Sequence, residues 1–305
     1  MIVSYQQLQL PFTLSVPIEQ NLVESVSERQ HDHLPHYNRR GYIQARKHVV
    51  FTLYGDRPMD LVGALFNAKS IPLYYLSWKT LFVVDRTVPE ESLQKLRDAG
   101  ADIHIVSELQ SHWGDARRIF RYLALNDSSI DYFMFRDTDS RVSAREISSV
   151  NTWLQSNKSY HIMRDHPNHV EVMLGGMWGV YAPTLRQKIG DISSSINNYV
   201  QSNGPDYKKF HDQWWLEKFV YPQIEDDVIE HDAWKAIKSS NRSTPFPLPR
   251  DYHGDYVGHI LDPAASYNID HVTALWPEYR KNGQNNFPQG EVPVEYKIEP
   301  ECIYG

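Results

Sequence analysis

Hydrophobic positions in the middle of the chain switch repeatedly between the period of a strand and that of a helix. His48–Tyr54 is β-branched and aromatic and stops at Gly55-Asp56-Arg57-Pro58, which predicts a strand and then a loop. Asp60–Ser70 follows, with Leu61, Ala64, Leu65 and Ala68 at helical spacing. Thr80–Asp85 and Ile103–Val106 read as the second and third buried strands. Between them, Pro89–Ala99 reads as a short helix with Pro89 in its first turn and Gly100 at its stop. Trp113–Leu125 reads as a helix with Ala116, Phe120 and Leu123 on one face, and Tyr132–Arg136 as a fourth strand. Such alternation predicts an α/β fold, a Rossmann-like, mostly parallel central sheet flanked by helices. Ligands bind at the carboxyl ends of such strands, so the loops after Tyr54, Asp85 and Arg136 are expected to converge on one crevice.

Beyond the fourth strand, Ser143-Ala-Arg-Glu146 is a capping box that opens a helix carrying Ile147, Val150 and Leu154. Tyr160–Met163 and Met177–Tyr181 read as further strands, and Asp212–Val220 as a helix. From about residue 240 the chain is rich in Pro, Gly and aromatics and reads as a long loop system. His31, His33 and His36 have a spacing that could hold zinc, but neither a helix signal nor a cysteine supports it, and a solvated loop is expected. With no internal repeat and no clear linker, the expected organisation is an N-terminal arm (1–47), one central domain (48–262) and a C-terminal wrapping segment (263–305).

Composition narrows the function classes. The 305 residues fit one large α/β domain or two small ones. Lys and Arg number 31 against 38 Asp and Glu, and the resulting charge of −7 argues against a nucleic-acid binder. Cys302 is the one cysteine, which excludes an internal disulfide and favours a reducing compartment. Met1–Val16 lacks the features of a signal peptide. No run approaches the roughly 18 apolar residues of a membrane span. A cytoplasmic location without a transmembrane segment is the expectation. The 8 Trp and 19 Tyr are a heavy aromatic load, suited either to a large core or to stacking on sugars and bases.

The sharpest chemical feature is Phe135-Arg136-Asp137-Thr138-Asp139-Ser140-Arg141, where an apolar strand delivers two carboxylates into the expected crevice. Close oxygen ligands suit Mg²⁺ or Mn²⁺, with water or phosphate oxygens completing the shell. An EF-hand loop counted from Asp137 would need Gly and Glu where Val142 and Ser148 stand, so that reading fails.

With this pair at the end of a fourth α/β strand, the chain resembles the GT-A-fold glycosyltransferases, in which an Asp-x-Asp motif holds a divalent metal on a nucleotide-sugar diphosphate. The resemblance covers roughly 48–262. It includes Asn67-Ala68, Phe82-Val83-Val84-Asp85, Phe120-Arg121-Tyr122-Leu123, His161-Ile162-Met163-Arg164-Asp165-His166-Pro167 and Gly175-Gly176-Met177-Trp178-Gly179. The wording is similar to bacterial and large-virus enzymes that build surface glycans. Asp212-Gln213 resembles the Asp-Gln motif of glycogenin-like and lipooligosaccharide galactosyltransferases.

The resemblance implies transfer of a sugar from a nucleotide donor, a UDP- or GDP-sugar, to a hydroxyl of a glycan acceptor, with Mn²⁺ or Mg²⁺ as cofactor. Asp137 and Asp139 are the expected metal ligands, with His231 as a third in competition with His253 and His259. Thr52, Tyr54, Gly55 and Arg57 follow the first strand, where nucleotides bind in this fold. Asp85, Arg136 and Thr138 are further candidates for the donor site. Arg117 and Arg121, four apart on the preceding helix, could share a face toward the diphosphate, and Arg121 matches the resemblance better. Asp212 and Asp165 are candidates for the base in an inverting reaction, and Gln213 for support of the sugar in a retaining one. Gly175, Gly176, Trp178 and His166 are candidate acceptor contacts. The segments Pro245–Pro249 and Tyr252–Gly258 could form a lid that excludes water.

Two other readings compete. A sugar-1-phosphate nucleotidyltransferase also uses an α/β sheet and acidic metal ligands, but its first loop is Gly-rich, whereas Thr52–Arg57 is not. A non-catalytic carbohydrate-binding protein would need the aromatic groove but not the two aspartates.

Overall fold

Val49, Val50 and Phe51 are all buried, so both faces of their strand are covered, as in the interior of a parallel sheet. The computed structural model describes residues 45–204, 211–234, 243–250 and 256–260. The arm up to residue 44, the segment 263–305, the His31/His33/His36 group, His253 and Cys302 lie outside the described residues.

The first half follows the predicted alternation. It runs β1 (Lys47–Leu53), α1 (Pro58–Tyr74), β2 (Trp78–Val84), α2 (Glu90–Asp98), β3 (Asp102–Ile105), a 3₁₀ helix (Gly114–Asn126) and β4 (Tyr132–Phe135). Next come α3 (Ala144–Gln155), β5 (Tyr160–Arg164), β6 (Trp178–Tyr181), α4 (Ala182–Ile189) and α5 (Ile192–Asn203). After these, α6 (His211–Trp215) continues through a π turn at Leu216–Val220 into α7 (Tyr221–Ile224), then β7 (Val228–Asp232) and β8 (Ser243–Thr244). The eight strands lie in the order β3-β2-β1-β4-β6-β5-β7-β8. Only β6 runs antiparallel to its neighbours, β4 and β5. None of the described helices is long and apolar enough to cross a membrane.

Two cores sandwich the sheet. Val49, Phe51, Phe82 and Val84 pack with Ala64 and Ala68 of α1 and Leu93 and Leu96 of α2. Val50, Val83, Phe133 and Phe135 pack on the other face with Ile119, Phe120 and Leu123 of the 3₁₀ helix. The connections therefore change face at β1, with β2 on one side of it and β4 on the other. That reversal opens a crevice beyond the carboxyl ends of β1 and β4. Ser143 caps α3 as the sequence predicts, its hydroxyl accepting from the Glu146 N–H.

The helix predicted over Trp113–Leu125 is a 3₁₀ helix of 13 residues. Its three-residue turn differs from the α-helical one, which changes which side chains share a face. The strand β7 is absent from the sequence reading because Val228-Ile-Glu-His-Asp232 looks polar. Its Glu230, His231 and Asp232 are nonetheless buried. Arg164 of β5 pairs with Glu230 and, at 2.8 Å, with Asp232. His231 Nδ1 lies 2.8 Å from His161 Nε2. Cross-strand charge pairing makes a strand out of residues that read as a loop.

Part of the aromatic excess is core. Trp78, Trp113, Trp153, Trp178 and Trp215 are all buried. Trp178 stacks on Phe135 with centroids 4.5 Å apart.

Burial pushes His231 down to about 4 and His161 well below the usual histidine range, so both are neutral in the fold. Between about pH 6.5 and 4 the unfolded chain binds protons that the folded chain refuses, so stability falls as pH falls. The slope is about 1.4 kcal/mol per pH unit for each such proton. Urea titrations at pH 7 and pH 5 should show this loss, reduced by one proton's worth in His231→Gln. Equal pH dependence in the two proteins would contradict neutral burial of His231.

Candidate active site at the ends of two parallel strands

The crevice has a volume of about 450 Å³. Thr52, Leu53, Tyr54 and Arg57 from the end of β1, with Met59 and Asp60 from the start of α1, form one wall. Asp137, Thr138 and Asp139 after β4 form the floor. Arg118 and Arg121, Gly175 and Gly176, Asp212 and Gln213, and Ile260 close the remaining sides.

Arg121 organises the floor. It is 4% exposed and all its guanidinium nitrogens donate. Nη1 reaches Asp137 Oδ1 at 2.6 Å and the Arg136 carbonyl at 3.1 Å. Nη2 reaches Asp212 Oδ2 at 3.3 Å, and Nε the Arg118 carbonyl at 3.2 Å. Burial opposes its charge, but Asp137 and Asp212 more than offset this, and its pKa stays above the ordinary arginine value.

The three carboxylates differ. Asp137 is half-exposed, with 50% of its side chain open. Asp139 is pushed up to about 6 by burial and by the negative charge of Asp137 and Asp60. Asp212 is buried at the start of α6, and its pKa is raised by burial and lowered in part by Arg121. Two glycines permit this crowding. A Cβ on Gly176 would sit 2.2 Å from Asp137 Oδ2, and one on Gly175 would sit 2.1 Å from Asp212 Oδ2. Both positions exclude a side chain without displacing a carboxylate.

Tyr54 sits at the mouth with the Arg117 guanidinium 4.4 Å from its ring centroid. Arg117 in turn pairs with Asp85 at 3.2 Å, and Asp85 also holds the Thr87 backbone N–H and hydroxyl. Thr52 accepts the Arg121 backbone N–H at 3.0 Å and donates to the Arg118 carbonyl at 3.2 Å, tying β1 to the 3₁₀ helix.

The structure thus brings together Thr52, Tyr54, Arg57, Arg121, Asp137, Thr138, Asp139, Gly175, Gly176, Asp212 and Gln213. It separates others from them. Asp85 is fully buried behind Tyr54, and Gly55 turns away with φ +71° and its N–H on Thr87. Arg136 is buried against Glu146 at 2.7 Å and the carbonyls of Phe135 and Trp178. Trp178 lies in the core and presents no face to the crevice. His166 is buried against Tyr256, with ring centroids 4.6 Å apart. His231 is held inside the sheet by His161, outside the crevice lining.

Asp165 is likewise no crevice residue. It is fully buried and accepts from Arg145 at 2.8 and 2.9 Å, from Arg250 at 2.6 Å and from the Val257 N–H at 2.9 Å. Burial alone would raise its pKa, and Arg250 and Arg145 reverse this, so the carboxylate is ionised and saturated with donors. Its work is to anchor the strap of residues 243–250 and 256–260. In it, Ile260 pairs with Ser140 beside Asp139 and lines the crevice. The expected lid thus includes an anchored segment, while residues 251–255 lie outside the described residues.

Two charged crevice residues are absent from the candidates the sequence offers. Asp60 pairs with Arg57 at 2.7 Å, a spacing of three that was visible at the start of α1. Arg118 escapes because an α-helical reading puts Arg117 and Arg121 on one face, whereas the 3₁₀ turn puts Arg118 there.

No family model matches the sequence, and no curated protein matches it. The chain is similar to several solved structures at low levels. One is a glycosyltransferase involved in glycosylation of the major capsid of PBCV-1, at 13% identity over 62% of this chain and 82% of that one, with a TM-score of 0.37. Another is core-mannan synthase A from Aspergillus fumigatus in its Mn/GDP form, at 11% identity over 75% and 84%, with a TM-score of 0.41. A third is glucosyl-3-phosphoglycerate synthase from Mycobacterium tuberculosis with Mn²⁺, UDP-glucose and phosphoglyceric acid, at 11% identity over 63% and 70%, with a TM-score of 0.41. At these scores the chemistry of the crevice must be argued from its own residues.

Removing Arg121 leaves Asp212 buried without its partner. Arg121→Ala should cost about 3–5 kcal/mol in urea unfolding, and adding Asp212→Asn should restore part of it. A loss below about 1 kcal/mol, as for a solvated surface pair, would contradict the bridge.

Proposed function

We propose that the chain is a metal-dependent glycosyltransferase that moves a sugar from a nucleotide-sugar donor to a hydroxyl of a glycan acceptor. The observation that carries this reading is the pair of carboxylates after β4, opening into the crevice where the sheet connections reverse, with arginines on its wall.

The donor set fits a divalent cation. Asp137 and Asp139 offer hard oxygen ligands, and the raised pKa of Asp139 marks anionic charge that the fold leaves under-compensated. Mg²⁺ and Mn²⁺ are commonly held by one or two carboxylates, with substrate phosphates and water supplying the rest. His231 lies outside the crevice lining, and no group of three or more metal-ligating side chains stands among the described residues, so the assignment rests on Asp137 and Asp139. A bound cation would supply positive charge against the departing diphosphate.

The protein's own groups do the rest. Tyr54, backed by Arg117, offers an aromatic face for the donor base. The acceptor oxygen bonds to the anomeric carbon, the bond from that carbon to the diphosphate breaks, and its electron pair stays on the phosphate oxygen. In an inverting reaction the hydroxyl proton passes to Asp212, whose pKa is raised by burial. Gln213, on the same turn and lining the crevice, is assigned to the donor sugar.

Calorimetry tests the reading. UDP or GDP should bind with Mn²⁺ present, and the binding should disappear in Asp139→Asn and with EDTA. Because protons compete for Asp139, the affinity for Mn²⁺ should fall as pH drops through about 6. Nucleotide binding indifferent to Asp139, to EDTA and to this pH interval would remove the metal mechanism.

A further inference from the structure

Three arginines line the crevice, and their partners separate them. Arg57 makes a bidentate pair with Asp60, both bonds 2.7 Å. Arg121 spends every guanidinium nitrogen on protein oxygens, two of them carboxylates. Arg118 differs: no ion pair joins its guanidinium to a carboxylate among the described residues, and its charge interacts with Tyr54. It is half-buried, so it faces the crevice without being diluted in bulk water. Asp137 and Asp212 act on it from a distance, which draws the cation toward the floor without consuming its donors. The 3₁₀ turn sets it directly above Arg121, three residues on.

A nucleoside diphosphate entering this crevice brings negative charge toward a floor that is already acidic. It needs a guanidinium with unspent donors in a planar fork, the geometry that matches phosphate oxygens. We infer that Arg118, rather than Arg121, is the side chain that binds the diphosphate of the donor. Arg121 then serves as a positioning residue that fixes Asp137 and Asp212. Arg118 also links the two halves of the ligand, since Tyr54, with which it interacts, is the candidate base platform. This assignment rests on the proposed function.

The experiment titrates the full chain with UDP and GDP in the presence of Mn²⁺, and separately with uridine and guanosine, for the unsubstituted protein, Arg118→Gln and Arg118→Lys. Arg118→Gln should weaken the diphosphate that binds by about 10- to 100-fold, the usual worth of a charge-assisted contact. It should leave the matching nucleoside within about twofold, and Arg118→Lys should recover part of the loss because it keeps the charge. The melting temperature of both variants should be unchanged, because no carboxylate is left unpaired. Diphosphate binding by Arg118→Gln within twofold of the unsubstituted protein would overturn the assignment and leave the glycosyltransferase reading intact. An equal loss for nucleoside and diphosphate would also overturn it, assigning Arg118 to Tyr54 alone. Failure of the unsubstituted protein to bind either diphosphate would overturn both readings.

Discussion

A single buried guanidinium sets the geometry of the crevice. Arg121 comes from the 3₁₀ helix, Asp137 from the loop after β4 and Asp212 from the start of α6, three elements distant in sequence. Without the cation, two carboxylates would face each other in a space where water reaches only one of them. With it, the floor closes and Asp139 is left as the carboxylate without an arginine partner among the described residues. Its raised pKa follows from that arrangement, and so does the need for an external positive charge if all the acids are to be ionised together. The overall charge of −7 excluded a polyanionic polymer but not a nucleotide, because a bound cation can change the sign of the field locally.

Backbone shape supports this electrostatic centre at two points. The 3₁₀ geometry of Gly114–Asn126 stacks Arg118 over Arg121. Gly175 and Gly176 let the approach to β6 run against two carboxylates that any larger residue would displace. A second charged knot, Asp165 with Arg145 and Arg250, lies apart from the chemistry and fastens the strap that carries Ile260 to the crevice edge. Two of the buried ion-pair groups therefore serve the crevice, one shaping its floor and one holding its wall.

The legible parts of the sequence were those governed by burial. Uninterrupted runs such as Phe82-Val83-Val84 and Tyr132-Phe133-Met134-Phe135 belong to strands covered on both faces, and their order located the crevice and the aspartate pair. Charge pairing at long range left no such trace. Glu230 and Asp232 look like solvent-facing residues until Arg164 is set beside them, so the sequence shows no β7 and offers His231 as a ligand. Asp165 has neighbours in sequence that suggest an active site, yet its partner Arg250 lies 85 positions away. Trp178 follows Gly175 and Gly176, which line the crevice, but turns into the core. The arginine face was misread for a local reason, since nothing in Gly114–Asn126 announces a three-residue turn over an α-helical one.

The central claim is that Asp137 and Asp139 hold a divalent cation on a nucleoside diphosphate. Crystals soaked in Mn²⁺ with UDP or GDP would test it through anomalous scattering at the manganese edge. The account predicts a peak within about 2.0–2.6 Å of oxygens from both aspartates, the range for hard oxygen ligands, with diphosphate density on its open side. Ordered nucleotide in the crevice without a manganese peak between those two carboxylates would contradict it.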